Sequence, residues 1–165
     1  MMTDIDKRKY IKLGLISGII IILDQLTKAI VIIGIPLYNT VPIIPAFFNL
    51  THLQNPGGAF GFMAGQSEAI RLLLFIFMTS LAIGLVFYFY KITPRTHSTL
   101  ATGFALIFSG AIGNMIDRFR IGAVVDFLDF YMKGYHYPAF NIADSAITIG
   151  MTIFVFHILF KKMPE

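Results

Sequence analysis

Apolar residues along this chain fall into four long runs, at about 11–33, 69–90, 100–116 and 142–160, separated by segments of different character. A helix that crosses the hydrocarbon core of a bilayer needs about 20 mostly apolar residues, with a range of about 17–25. All four runs meet that length. The pattern predicts a membrane α-helical protein with four transmembrane helices and no internal repeat. Between the first two runs, 34–68 carries Pro36, Pro42 and Pro45, which exclude a long helix there. Within it, 48–54 alternates loosely between apolar and polar residues, as a short strand does. The second long connection, 120–140, lies on the same side of the membrane, so a site built from the two faces one way.

Composition agrees with that reading. Apolar residues make up 56% of the 165 and charged residues 13%, where a soluble domain carries about 25% charged. A chain this short has no core large enough to hide so much apolar surface from water. The net charge of +4 comes largely from the ends and one short loop. No basic stripe is interleaved with aromatics, so nucleic-acid binding is set aside. Cysteine is absent, which removes disulfides, thiol catalysis and cysteine-based metal sites.

Lys7, Arg8, Lys9, Lys12, Lys91, Arg95, Lys161 and Lys162 share one side of a four-span chain, against Lys28, Arg71, Arg118, Arg120 and Lys133 on the other. The richer side is expected to be the cytoplasm, giving N-in, C-in. A basic start followed by an apolar run also fits a cleavable signal peptide, but the run is long and Thr27-Lys28-Ala29 is a poor small-x-small cleavage site.

Ionisable groups within a membrane are costly and mark function by default. Of nine acids, Asp4, Asp6 and Glu165 are terminal and Glu68 stands at a span boundary, while Asp24, Asp117, Asp126, Asp129 and Asp144 all fall at the outer edge of the membrane region. Asp24 and Lys28 share a helix face at i, i+4 and are expected to pair near the interface, where Lys28 can snorkel. Asp117 and Arg118 follow Gly110, Gly113 and Asn114, a small-residue run that lets helices approach closely. Asp117 reads as structural support; Arg118 fits either a loop or a substrate carbonyl. Asp129, three residues past Asp126, reads as the more exposed of the two.

Asp144 opens the last span, with Asn141 three residues earlier, so helix capping accounts for both. Capping leaves unexplained why Asp126 stands at the same depth on the preceding segment. Two carboxyls sharing a cleft suggest a shared-proton pair, in which one is a general base toward water and the other an acid toward a peptide carbonyl. On spacing alone the two readings stand side by side. Other hydrolytic chemistries lack their residues. There is no H-E-x-x-H, no G-x-S-G and no G-x-G-D, and His52, His97, His136 and His157 are scattered without ligand spacing. A proton-relay or transporter subunit would spread acids through the membrane depth, and a non-catalytic assembly subunit would tolerate Asp→Asn at both positions.

These residues carry a resemblance. Asp24-Gln25-Leu26-Thr27-Lys28, Asn55-Pro56-Gly57-Gly58-Ala59-Phe60, the run from Gly110-Ala111-Ile112-Gly113-Asn114 to Asp117-Arg118, Val124-Val125-Asp126-Phe127 and Phe140-Asn141-Ile142-Ala143-Asp144-Ser145 resemble, in order, the motif blocks of the lipoprotein signal peptidase (signal peptidase II) family. The resemblance spans essentially the whole chain. It implies a single integral membrane peptidase domain over 1–165, with four transmembrane helices and an extracytoplasmic β-cradle made mainly from the segment between spans one and two. It implies Asp126 and Asp144 as an aspartyl catalytic dyad, Asn55, Gly57, Gly110, Asn114, Arg118 and Asn141 as substrate-positioning residues, and Asp24, Lys28 and Asp117 as structural support. It implies no metal or organic cofactor. The substrate would be a diacylglyceryl-modified prolipoprotein, cut N-terminal to its lipidated cysteine, in the bacterial cytoplasmic (inner) membrane with the site facing outward. Asn55 beside the glycines would offer donors to a developing oxyanion, and an apolar pocket would take the acyl chains. Nothing in the spans calls for a second subunit, so a monomer working in the phospholipid bilayer is expected.

Overall fold

In a computed structural model, which describes residues 4–57 and 67–160, the four apolar runs become helices α1 (Asp4–Gly34), α2 (Glu68–Ile92), α3 (Ser98–Ile121) and α4 (Ile142–Phe160). All four are long and apolar enough to cross a membrane. Between them lie strands β1 (Thr40–Ile44), β2 (Phe48–Asn55), β3 (Val124–Met132) and β4 (Tyr135–His136). Gly58, Ala59 and Phe60 of the second motif block fall outside the described residues.

Two helices extend well beyond the apolar runs. Hydropathy marks only the part of a helix that suits lipid, and α1 begins within the charged stretch that precedes its run. Helix α3 runs on past 116 through Asp117, Arg118 and Arg120, so the first two residues of the 120–140 connection are helical. Its last turn carries Arg118 and Arg120, whose charge suits the carbonyl end of a helix. Gly122 then stops it in the left-handed region (φ 74°), donating its N–H to the Arg118 carbonyl.

Helix α3 is the hub. It packs against α1, α2 and α4, and its buried positions include Gly103, Ala105, Gly110, Ala111 and Gly113. Without a hydrophobic drive between helices in lipid, small residues gain stability by bringing backbones together. Gly110 lies against the Ala143 carbonyl of α4, where a methyl group would overlap that oxygen. The core at one end gathers Leu13, Tyr90, Leu100 and Phe104. At the other, Val31, Ile35, Val125 and Phe127 join α1 to the sheet.

The strands form one antiparallel sheet in the order β1-β2-β3-β4. The alternation over 48–54 is β2, as expected. The first connection supplies β1 and β2, but the second contributes nearly as much. The nine-residue β3 comes from the second and pairs along β2 from Phe48↔Phe130 to Asn55↔Val124. Because β3 is largely buried on both faces, its sequence is continuously apolar around Asp126 and lacks the period-2 signal of a half-exposed strand. Asp129 is the more exposed of the two acids, as expected, but only slightly, since Asp126 is 4% exposed. Asp129 is 7% exposed, held by Asn49 Nδ2 at 2.7 Å and His136 Nδ1 at 2.8 Å.

Candidate active site

The site begins with a buried charge cluster that the sequence showed only in part. Lys28 Nζ lies 2.8 Å from Asp24 Oδ2, the pair expected at i, i+4, and 2.7 Å from Asp117 Oδ2 on α3. It does not snorkel: Lys28 is 1% exposed and Asp24 fully buried. With two carboxylates and the Asn114 Oδ1 at 3.0 Å, all three ammonium protons have acceptors, which is what makes a buried lysine tolerable. Gln25, given no role in the sequence reading, closes the cluster. Its Nε2 reaches Asp117 Oδ1 at 3.0 Å, Asp24 Oδ2 at 3.1 Å and the Gly113 carbonyl at 3.2 Å.

The same two acids also grip backbone. Asp117 Oδ2 accepts the Val125 N–H at 3.2 Å and Asp24 Oδ1 accepts the Ala143 N–H at 2.9 Å. Val125 immediately precedes Asp126, and Ala143 immediately precedes Asp144. One buried cluster therefore sets the position of both candidate acids through the peptide unit before each.

Asp144 keeps its capping role. Its N–H donates to Asn141 Oδ1 at 2.9 Å, and its own Oδ2 accepts the Asn141 N–H at 3.3 Å, a reciprocal cap at the α4 N-terminus. Its Oδ1 accepts from Asn114 Nδ2 at 2.7 Å. Asn141, fully buried, turns its amide toward Asp126 Oδ1 at 2.8 Å. The other Asp126 oxygen accepts from Asn55 Nδ2 at 3.1 Å. Asn141 thus joins the two carboxyls, capping one and holding the other, and Asn114 ties Asp144 back to Lys28.

The two acids differ in surroundings. Asp126 is 4% exposed while Asp144 is half-buried. Burial pushes the Asp126 carboxyl up from 3.8 to about 6. The amides of Asn55 and Asn141 and the Lys28 charge hold it down, and the Asp144 charge pushes it further up. Asp144 stands in the first turn of the 19-residue α4 and accepts two hydrogen bonds.

Asn55 has both ends engaged, since its Oδ1 accepts the Gly57 N–H at 3.0 Å. In this arrangement its amide nitrogen is committed to Asp126. Gly57 (φ 86°) lies on the Phe75 ring, where any side chain would collide, and the Arg118 guanidinium sits 5.6 Å from the centroid of the same ring. Arg118 also donates to the Asn114 carbonyl at 3.2 Å and lies within Coulombic reach of Asp144, Asp117 and Asp126. Gly110 packs α3 on α4. Among the described residues no three histidines, cysteines or acids are grouped to hold a metal ion.

Beside Asp144 a groove of about 720 Å³ opens between α4 and the sheet, walled by Phe130, Tyr137, Phe140, Ser145 and Ile149. At Thr148 it meets a shallower apolar trough that follows α4 through Met151 and Val155 to Phe160.

Known proteins share this chain's sequence and shape. The family model described as signal peptidase (SPase) II matches residues 16–160. A lipoprotein signal peptidase of Desulforapulum autotrophicum is 54% identical over 158 residues, covering 96% of this chain and 98% of that protein. One from Syntrophus aciditrophicus is 43% identical over 160 residues, covering 96% and 99%. A bacterial membrane enzyme solved by the in meso method at 2.3 Å superposes with a TM-score of 0.80 at 32% identity, over 93% of each chain. A match of family model, near full-length relatives and fold places the chain in the signal peptidase II family.

Proposed function

We propose that this protein is a membrane aspartyl endopeptidase that removes the signal peptide from diacylglyceryl-modified prolipoproteins, with Asp126 and Asp144 as its catalytic pair. One observation carries the reading. Two acids from different elements converge on Asn141 at the mouth of an apolar groove in a fold of four membrane-length helices. The name shared by the relatives supplies the substrate class, and the groove supplies its physical counterpart. A lipid-modified cysteine keeps its scissile bond at the membrane surface, and the trough along α4 offers apolar surface for acyl chains.

In this reading the pair shares one proton, held on Asp126, whose burial favours the neutral form. Asp144, held by Asn114 Nδ2 and the Asn141 N–H, takes a proton from water. The hydroxide attacks the carbonyl carbon N-terminal to the lipidated cysteine while Asp126 gives its proton to the carbonyl oxygen. When the tetrahedral intermediate collapses, the C–N bond breaks, the proton taken by Asp144 passes to the departing amine, and Asp126 recovers its own. Arg118 faces the acids and is placed to hold a substrate carbonyl. Asn55, Asn114 and Asn141 position the carboxyls, and Asp24, Lys28 and Asp117 fix the backbone beneath them. The distribution of Lys and Arg supports an N-in, C-in monomer in the bacterial cytoplasmic membrane, with the sheet and acids on the outer side.

The test is cleavage of a diacylglyceryl-modified prolipoprotein by purified wild type, Asp126→Asn and Asp144→Asn, with helix content and unfolding temperature measured in parallel. Wild type should cut, and both folded variants should lose at least about a thousandfold in turnover. Near-normal turnover by either would make that aspartate a cap or a structural bond. An inactive wild type would return the proton-relay reading.

A further inference from the structure

At the end of the bundle opposite the acids, the start of α1 and the link between α2 and α3 line a small pocket of about 170 Å³. Its walls include Arg8, Lys9, Lys12, Arg95 and Ser98, and no acid is among the residues that line it. Two of these cations hold the helices together. Lys9 Nζ donates to the Lys91 and Thr93 carbonyls at 2.9 and 2.6 Å and lies over the Tyr90 ring, while Lys12 Nζ donates to the Ser98 carbonyl and hydroxyl at 3.0 and 2.9 Å. Arg8 and Arg95 are exposed and line the pocket from different elements. The N-terminus of the 24-residue α3 adds to the positive field, since His97 gives it no side-chain cap.

The placement names the ligand. Arg8 precedes Lys28 by 20 residues on α1, about 30 Å at 1.5 Å per residue, so the pocket stands one hydrocarbon thickness from the acids, at the other interface. Ile11, Leu15, Ile19 and Ile22 continue the Arg8 face of α1 toward the bilayer centre at helical spacing, and all are exposed. A cationic cup above an exposed apolar stripe matches an anionic headgroup above an acyl chain. We infer that this pocket binds the phosphate of an anionic phospholipid, such as phosphatidylglycerol, with one acyl chain along that stripe. The site is separate from the peptidase reading and does not depend on it.

The test titrates phosphatidylglycerol or phosphatidylcholine into the purified full chain in neutral detergent, reading bound lipid by native mass spectrometry and unfolding temperature. Wild type should prefer phosphatidylglycerol at least about tenfold. Arg8→Gln and Arg95→Gln should each weaken that preference about fivefold, while Lys133→Gln, at the far end, should leave it intact. Equal unfolding temperatures in phosphatidylcholine would show that the variants fold. A preference that survives the Arg8→Gln/Arg95→Gln double variant, or that Lys133→Gln lowers as much, overturns the site in favour of diffuse charge. Displacement of the lipid by equimolar inorganic phosphate overturns its assignment to a lipid.

Discussion

At the scale of single residues the protein keeps a carboxyl where it is costly. Asp126 ionises at about 6 in the folded chain because burial outweighs the amides that support its anion. Unfolded, it would ionise near 3.9. The folded pKa is the higher one, so the stability contributed by the neutral form is complete below about pH 4 and lost as pH rises through 6. Asp126→Asn removes that loss while retaining a partner for Asn141. The variant should therefore unfold at higher temperature than wild type at pH 8, by the equivalent of about 3 kcal/mol, with the gap closing toward pH 4. A less stable variant at pH 8 would mean the carboxylate is a net stabiliser, and Asp126 would lose its place as proton holder. The same group should set the alkaline limb of kcat/KM near pH 6 in the free enzyme, a limb that Asn55→Ala would move upward by removing a donor to the anion. If Asn55 served an oxyanion instead, its loss would lower turnover without moving that limb.

At the scale of elements, much of the site depends on how closely α3 and α4 approach. A methyl group at Gly110 would overlap the Ala143 carbonyl, and one at Gly150 would lie 2.5 Å from the Gly103 carbonyl at the far end of the same helix pair. Both Gly110→Ala and Gly150→Ala should lower stability by about 1–3 kcal/mol through overpacking. Only Gly110→Ala should lower turnover of the folded enzyme by at least about tenfold, because it pushes the first turn of α4 and with it Asp144. Gly14→Ala, which meets nothing within 4 Å, is the control. Equal turnover losses at Gly110 and Gly150 would point to general disruption. The sequence made the helices legible through apolar length, and the acids through their rarity in such runs. It did not show β3, because burial on both faces removes alternation, nor the link from Asp24 to α4, because a contact across more than a hundred residues leaves no local spacing. Gln25 was overlooked for a related reason: an amide beside an acid on a helix signals nothing until its partners arrive from α3.

At the scale of the whole molecule, the cluster around Lys28 also bears on orientation. Counting all Lys and Arg gives eight on the expected inner side and five on the other. Two of those five are not free loop charges, however. Lys28 is sealed between Asp24 and Asp117, and Arg118 is half-buried against Asn114 and the Phe75 ring. A charge neutralised inside the bundle has little to gain from staying in the cytoplasm, and orientation follows charges in short loops and at span ends. Arg71, Arg120 and Lys133 then remain against eight, which strengthens the N-in, C-in reading. The absence of cysteine makes the test direct. Lys133→Cys in the β3–β4 turn and Arg95→Cys in the α2–α3 link are exposed positions at opposite ends of the bundle. In intact bacterial spheroplasts a membrane-impermeant maleimide should label the Lys133→Cys protein, and should reach the Arg95→Cys protein only after the membrane is permeabilised. The reverse pattern would place the acids on the cytoplasmic side, away from exported substrates, and the peptidase reading would fall with the orientation.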